Sequence, residues 1–236
     1  MVRSLVRRAL AEGLATALLL AVVIGSGIMG ERLAGGNVAI ALLANTLATG
    51  AGLVALILAF GPISGAHMNP AVSLVEALRG GVSWRDLPVY AAAQVAGAFG
   101  GVATAHLMFG EPLFSASTHA RAGAGQLLGE FVATFGLLAT LLGCARARPP
   151  AVPFAVAAYI TAAYWFTSST SFANPAVTLA RAASNTFAGI RPVDAPGFLV
   201  AQVAGALAAH VCLRYLYAEG PAQRSAERTA RIRESA

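Results

Sequence analysis

Two short strings in this chain are able to do chemistry of one kind. Asn69, Pro70 and Ala71 form the first, and Asn174, Pro175 and Ala176 repeat it 105 residues later. Asn is a good helix N-cap, and Pro is preset for the first helical position, where its missing N–H is not needed. Each box therefore predicts a helix that starts at its proline. A capping Asn uses its side-chain oxygen on the N–H groups of its own helix, which leaves the NH₂ as a fixed donor beyond the helix end. A helix N-terminus also carries about half a positive charge. Where two such ends meet, a neutral polar solute finds two amide donors and a cation meets a barrier.

Little else points to catalysis. Cys144 and Cys212 stand far apart in apolar surroundings with no paired spacing, and read as inert buried thiols. His106, His119 and His210 share no ligand spacing, so no metal site and no other cofactor is expected. No Ser and His, and no pair of Asp residues, fall at matching depths, which argues against an intramembrane hydrolase and against an enzyme of any kind.

The elements that must position the boxes follow from composition. Hydrophobic residues make up 57% of the chain and charged residues only 11%, with a mean hydropathy of +0.70. Soluble domains carry about 25% charged residues, so this is a membrane protein. The 16 basic residues are all Arg, and the net charge is +6. In a soluble chain that would raise the question of nucleic acid; here topology accounts for it and no nucleic acid is expected. Arg3, Arg7 and Arg8 at one end and Arg224, Arg228, Arg231 and Arg233 at the other put both termini in the cytoplasm by the positive-inside rule, in a multi-pass protein of the cell membrane. An even number of spans follows. Because Glu12 interrupts the first apolar run and no small-residue cleavage site follows, that run reads as a retained helix rather than a leader.

Stretches 10–30, 87–110, 122–145 and 195–213 hold at most one charge each and are long enough to cross a bilayer. Two longer uncharged intervals do not fit whole crossings. The interval 33–75 offers a crossing at about 38–60, then Gly61, Pro62, Ser64 and Gly65 as breakers, then a helix from Pro70 to Leu78 that is about 14 Å long, half a bilayer core. The interval 149–180 repeats this, with a crossing at about 151–166, a run of Thr and Ser, and a restart at Pro175 that reaches about Ala183. Six spans and two re-entrant half-helices make an all-α membrane fold in one channel domain, 1–236. Residues 218–236 read as a solvated cytoplasmic tail.

The halves, about 10–110 and 122–217, repeat each other at three places in order. Glu12 in EGLATALLLA matches Glu130 in EFVATFGLLA, the two boxes match, and AQVAGA occurs at both 93–98 and 201–206. Three spans per half make the copies inverted in the membrane, so the half-helices enter from opposite faces and meet. The small residues of AQVAGA allow close helix crossing, and Trp84, Trp165, Tyr215 and Tyr217 read as interface anchors.

Two such boxes, each on the re-entrant segment of an inverted three-helix repeat, resemble the aquaporin or major intrinsic protein family over residues from about 10 to 217; SGAHMNPAV from Ser64 resembles the family's first box in full. The resemblance implies a passive channel for small neutral solutes, assembled as a homotetramer with one pore per protomer. It assigns pore donors to Asn69 and Asn174, and to Glu12 and Glu130 the role of buried acceptors that hold the re-entrant loops. Members that form junctions rather than pores close them with bulky residues.

By the family's spacing the filter positions fall at Thr49, Ala162, Ser171 and Val177. Most members carry Arg where this chain has Val177, so the resemblance implies a wide, uncharged ring that matches neither the water-selective nor the glycerol-facilitator pattern. An Arg-less filter resembles a bacterial branch linked to arsenic detoxification, which implies arsenite or related undissociated metalloids beside water, glycerol and urea. Arg181, one helical turn beyond Val177, either moves the charge to the pore mouth or, as the preferred reading, is a half-helix C-terminal cation facing headgroups or water. His67 either lines the pore and gates it with pH or is a satisfied structural histidine.

Overall fold

The computed structural model describes residues 4–218, so the tail from 219 onward and Arg3 lie outside the described residues. Eight α-helices run in order among those residues: α1 (Leu5–Leu33), α2 (Val38–Ser64), α3 (Pro70–Leu78), α4 (Leu87–Phe109), α5 (Ala124–Ala147), α6 (Val152–Phe166), α7 (Pro175–Arg181) and α8 (Ala195–Leu216). Five of them are long and apolar enough to cross a membrane. The sixth, α6, has 15 residues and is extended by a 3₁₀ turn at Pro149–Ala151. Together they reach about 28 Å, close to the roughly 30 Å of a hydrocarbon core.

Local sequence accounts for most boundaries. Asn37 caps α2 by accepting from the N–H groups of Ala39 and Ile40 at 3.1 and 3.3 Å. Proline opens α3, α4, α6, α7 and α8. One boundary differs from the sequence reading: α2 does not stop before Gly61 but runs through Pro62 to Ser64. The extra turn is held from outside. Gly65, left-handed at φ 96°, donates its N–H to Gly61, the Tyr90 hydroxyl donates to the Ser64 carbonyl at 3.0 Å, and the Ser64 hydroxyl donates to Glu12. At the other half-helix, α7 ends at Arg181, two residues before the expected end. Ala182 and Ala183 turn more tightly, and their carbonyls accept from the N–H groups of Ser117 and Ser115 in the loop after α4.

The bundle is built twice. α1 packs across α4 and α5 across α8, while α2 and α6 meet between the halves. Both long crossings depend on a glycine of AQVAGA. A Cβ on Gly97 would strike the carbonyl of Gly13, and one on Gly205 would strike the carbonyl of Phe131. Gly13 and Phe131 each directly follow a repeated glutamate, so the close approach that glycine permits also brings Gln94 to Glu12 and Gln202 to Glu130. The outside is apolar, with Leu14, Leu18, Leu47, Leu107, Val200 and Val211 exposed, while Glu12, Asn45, Gln94, Glu130, Gln202 and Arg181 are buried. Apolar surface outside and hydrogen-bonded polar groups inside is the distribution a lipid solvent selects. The chain is a multi-pass membrane protein.

Candidate functional site

The half-helices α3 and α7 meet at their N-termini. The Asn69 side-chain oxygen accepts from the N–H of Ala71 at 2.9 Å, and that of Asn174 accepts from Ala176 and Val177 at 3.0 and 3.3 Å. The amide groups cross over: Asn69 Nδ2 donates to the Ala173 carbonyl and Asn174 Nδ2 to the Met68 carbonyl, each at 2.7 Å. Each NH₂ has two hydrogens, so this exchange leaves one per amide for another acceptor. Both asparagines line the same cavity.

Each box is carried on a loop whose backbone is held by a carboxylate. Glu12 accepts from the N–H groups of His67 and Met68 at 2.9 and 2.7 Å, from the Ser64 hydroxyl at 2.6 Å and from Gln94 Nε2 at 2.8 Å. Glu130 accepts from the N–H groups of Phe172 and Ala173, both at 2.8 Å, and from Gln202 Nε2 at 2.6 Å. The glutamines also donate to Ser73 and Thr178, four residues past each cap. Among the described residues no cationic side chain bonds to either carboxylate. The loops need this support because Ala66 and Met68 in one, and Thr170, Ser171 and Ala173 in the other, have positive φ without being glycine. Such backbone costs about 1–3 kcal/mol per residue and persists only where its surroundings over-determine it.

A cavity of about 100 Å³ runs past these loops. One wall is an apolar stripe on α6 formed by Val152, Val156, Ile160 and Tyr164, spaced one helical turn apart, continued by Leu53 and Ile57 of α2. The other wall presents the re-entrant loops. Thr49, Ser171 and Val177 line the cavity, as do His67 and Arg181. Ser171 Oγ has no hydrogen-bond partner among the described residues. His67 is half-buried and pairs its Nδ1 with the Ser73 hydroxyl at 3.0 Å.

Two expectations require correction. Ala162 is exposed on the outer face of α6 and is not part of the cavity wall; Tyr164 takes a place there, its hydroxyl 3.3 Å from Thr49 Oγ1. Counting back from Asn174 passes through the irregular segment 167–173, and a slip of two residues on a helix turns the face by about 200°. The stripe Val152, Val156, Ile160, Tyr164 was the signal in the sequence that would have found the facing side. Arg181 does not face headgroups or water. It is 2% exposed, its Nε donates to the Ala188 carbonyl, and its guanidinium carbon lies 3.3 Å from the centroid of Phe172. The cavity wall is therefore not uncharged. Arg121, from the loop after α4, stands 5.0 Å from the same ring and donates to the carbonyls of Gly189 and Ser169, so Phe172 is shared by two guanidiniums. Phe172 and Arg121 were not singled out by sequence reasoning; the pairing depends on loop folding that no spacing reveals.

The structure also contains a Ser and His in contact, against the sequence reading. His106 Nε2 lies 2.8 Å from Ser184 Oγ, and Nδ1 lies 2.9 Å from the Leu113 carbonyl. Both residues are fully buried, so no substrate reaches the pair. It fastens the loop after α7 to α4. Cys144 and Cys212 are free thiols, and among the described residues no group of His, Cys, Asp or Glu is arranged to hold a metal.

Comparison with known proteins gives consistent matches. The family model described as major intrinsic protein matches residues 2–151. Aquaglyceroporin AqpS of Rhizobium meliloti (strain 1021) is 57% identical over 212 residues, which cover 90% of this chain and 91% of that protein. Aquaporin NIP1-4 of Oryza sativa subsp. japonica is 41% identical over 101 residues, 42% of this chain and 37% of that one. The X-ray structure of the aquaglyceroporin from Plasmodium falciparum shares the fold with a TM-score of 0.68 at 23% identity, covering 90% of this chain and 96% of its own.

Proposed function

Because the chain belongs to the major intrinsic protein family, whose members are membrane channels and not enzymes, we propose that its cavity passes small neutral solutes of the water and glycerol kind down their gradients. The observation that carries this reading is the junction of the two half-helices inside the cavity, where Asn69 and Asn174 each keep a donor hydrogen beside a helix N-terminus. Two positive helix ends and the buried guanidinium of Arg181 oppose a cation, while a hydroxyl exchanges its water partners for the amides.

The lining supports the finer selectivity. The α6 stripe is apolar up to the Tyr164 hydroxyl, which meets Thr49 of α2, and the facing side offers Ser171 and the box amides. A polyol has the same two-sidedness, with carbon on one edge and hydroxyl on the other. Val177 beside the second box presents no donor and little bulk, so the pore admits glycerol, urea and undissociated arsenite or related metalloid hydroxides as well as water. The pairing with AqpS, an aquaglyceroporin by name, favours the same solutes. Thr49, Tyr164, Ser171 and Val177 form the narrow ring, Arg181 marks its outer rim, His67 lines the inner side, and Glu12 and Glu130 hold the loops. The protein sits in the cell membrane with both termini cytoplasmic and assembles as a homotetramer, each protomer with its own pore.

Stopped-flow light scattering of proteoliposomes, with water, glycerol, urea and arsenous acid compared at matched protein density, tests the reading. Faster swelling than in empty vesicles is expected for all four. Permeability to water alone overturns the wider selectivity, and accumulation of a neutral solute against its gradient, driven by ions, overturns the passive mechanism.

A further inference from the structure

A second cavity, separate from the pore, opens where α3, α5 and α8 end. It has a volume of about 500 Å³, and its wall holds Arg79, Arg146, Arg214, His210 and Tyr217 above a floor of leucines. Among the described residues no carboxylate lines it. Arg79 makes a long contact of 3.7 Å with Glu76, Arg146 stands 5.1 Å from the centroid of Tyr217, and Arg214 has no hydrogen-bond or ion-pair partner among the described residues. His210 Nδ1 is buried without a hydrogen-bond partner among the described residues. Three guanidiniums from three elements thus converge on one cleft, and among the described residues only Arg79 has a carboxylate beside it, the 3.7 Å contact to Glu76.

The inverted repeat shows what such a place holds when it is filled. The AQVAGA offset maps Arg214 to His106 and Tyr217 to Phe109, and the box offset maps Arg79 to Ser184. At that counterpart His106 is bonded through both nitrogens, to Leu113 and Ser184, and the loop after α4 is tied to Ala182 and Ala183. The connection 182–194 folds in there, whereas 79–86 is too short to do so. By the repeat, the segment that corresponds to the loop after α4 is the tail after α8. Its sequence from 219 carries Arg224, Arg228, Arg231 and Arg233 against Glu219, Glu227 and Glu234, four basic side chains against three acidic ones.

We infer that this cleft binds the phosphate of an anionic phospholipid headgroup. The last helical turns that form it lie at headgroup level, where a basic pocket between helices attracts anionic lipid. Three arginines supply fork-shaped donors to phosphate oxygens, and the leucine floor meets the upper acyl chain. A free phosphate shares the first contact and lacks the second. The inference concerns the lipid-facing side of the fold and stands whichever solute crosses the pore.

Lipid titration of the detergent-purified full chain, read by native mass spectrometry, tests it. Phosphatidylglycerol and phosphatidylcholine with the same acyl chains are compared, alone and with millimolar inorganic phosphate. Phosphatidylglycerol should bind at least about tenfold more tightly, and phosphate should displace little of it. Arg214→Gln should weaken it about fivefold, and Arg79→Gln, Arg146→Gln and Arg214→Gln together about a hundredfold, each arginine near anionic lipid contributing a similar factor. Replacing the four tail arginines, Arg224, Arg228, Arg231 and Arg233, by Gln should leave the affinity within about twofold. Equal affinity for the two lipids in the parent protein overturns the inference without any variant. So does full retention by the triple variant, or loss in the tail variant. Complete displacement by inorganic phosphate assigns the cleft to free phosphate instead and overturns the lipid.

Discussion

Arg181 places its guanidinium over the ring of Phe172, 3.3 Å from carbon to centroid, and Phe172 is the residue whose N–H is held by Glu130. The carboxylate that shapes the loop therefore also fixes the surface on which the cation rests. A desolvated cation–π contact is worth about 2 kcal/mol. Arg181→Leu should remove the fixed charge from the outer rim while leaving the boxes intact. In planar bilayers the variant is expected to conduct measurable cation current where the parent conducts none. A variant as tight to cations as the parent would mean that the helix ends alone form the barrier.

Val177→Arg tests the width of the ring. A guanidinium one turn inside Arg181 narrows the passage and offers donors where valine offers none. The ratio of glycerol to water permeability should fall about tenfold, a barrier difference of about 1.4 kcal/mol, because water still fits beside the added side chain. An unchanged ratio would place the narrowest point elsewhere.

Glu130→Gln and Glu12→Gln address the loops. An amide oxygen can serve one backbone N–H where the carboxylate serves two, and an amide NH₂ turned toward the other leaves it unpaired. A buried unpaired donor costs about 1–3 kcal/mol. Both variants should melt at lower temperature in detergent and lose permeability per folded protein, Glu12→Gln at least as much, since Glu12 accepts four hydrogen bonds. Unchanged melting for both would show that the left-handed residues hold themselves.

Gly97→Val and Gly205→Val should each destabilise the bundle by about 1–3 kcal/mol, as overpacking does. Gly100→Ala, three residues from Gly97 on the same helix, meets nothing within 4 Å and should be neutral or stabilising. Thermal unfolding of the three variants separates helix contact from helix propensity, and equal behaviour would refute the close crossings.

The loop before α8 carries a pH dependence. Asp194 is held below the usual carboxylate range by the hydrogen bond from Arg191 and, more weakly, by the N–H of Arg121. A depressed carboxylate contributes stability above its unfolded value and loses it as pH falls through the folded one. Protection from hydrogen exchange at the 191–194 turn, taken relative to the intrinsic rate at each pH, should therefore be unchanged from pH 8 to 5 and fall only below about pH 4. Loss of protection already between pH 7 and 6 would assign the turn to another group.

Much of this architecture could be read from the chain because local rules and the repeat agree. Asn-Pro marks both half-helix starts, since cap and first residue are set within two positions. The repeated Glu, box and Gln share spacing, and the structure joins them through matched hydrogen bonds. The failures share a cause as well. Gly61 and Pro62 are breakers by local rules, yet Tyr90 and Glu12 hold the turn beyond them from other helices. Arg181 ends its half-helix as a surface cation would, and becomes buried because 184–190 folds back over it, Ile190 donating its N–H to the Arg181 carbonyl. Ala162 was placed by counting through an irregular loop. In each case the deciding contact lies dozens of residues away or in a segment without periodicity.

The crossover of the two asparagines has a consequence for how the protein is made. Asn69 donates to Ala173, 104 positions later in the chain. At a synthesis rate of roughly 5–20 residues per second, the first box waits roughly 5–20 seconds for its acceptor to exist. For most of that interval, once Gln94 has been added, the first re-entrant loop has its glutamate and its glutamine but no counterpart to close against. The nascent first half is thus a docked platform with an open polar end, and its completion is an event of the second half's arrival at the translocation machinery.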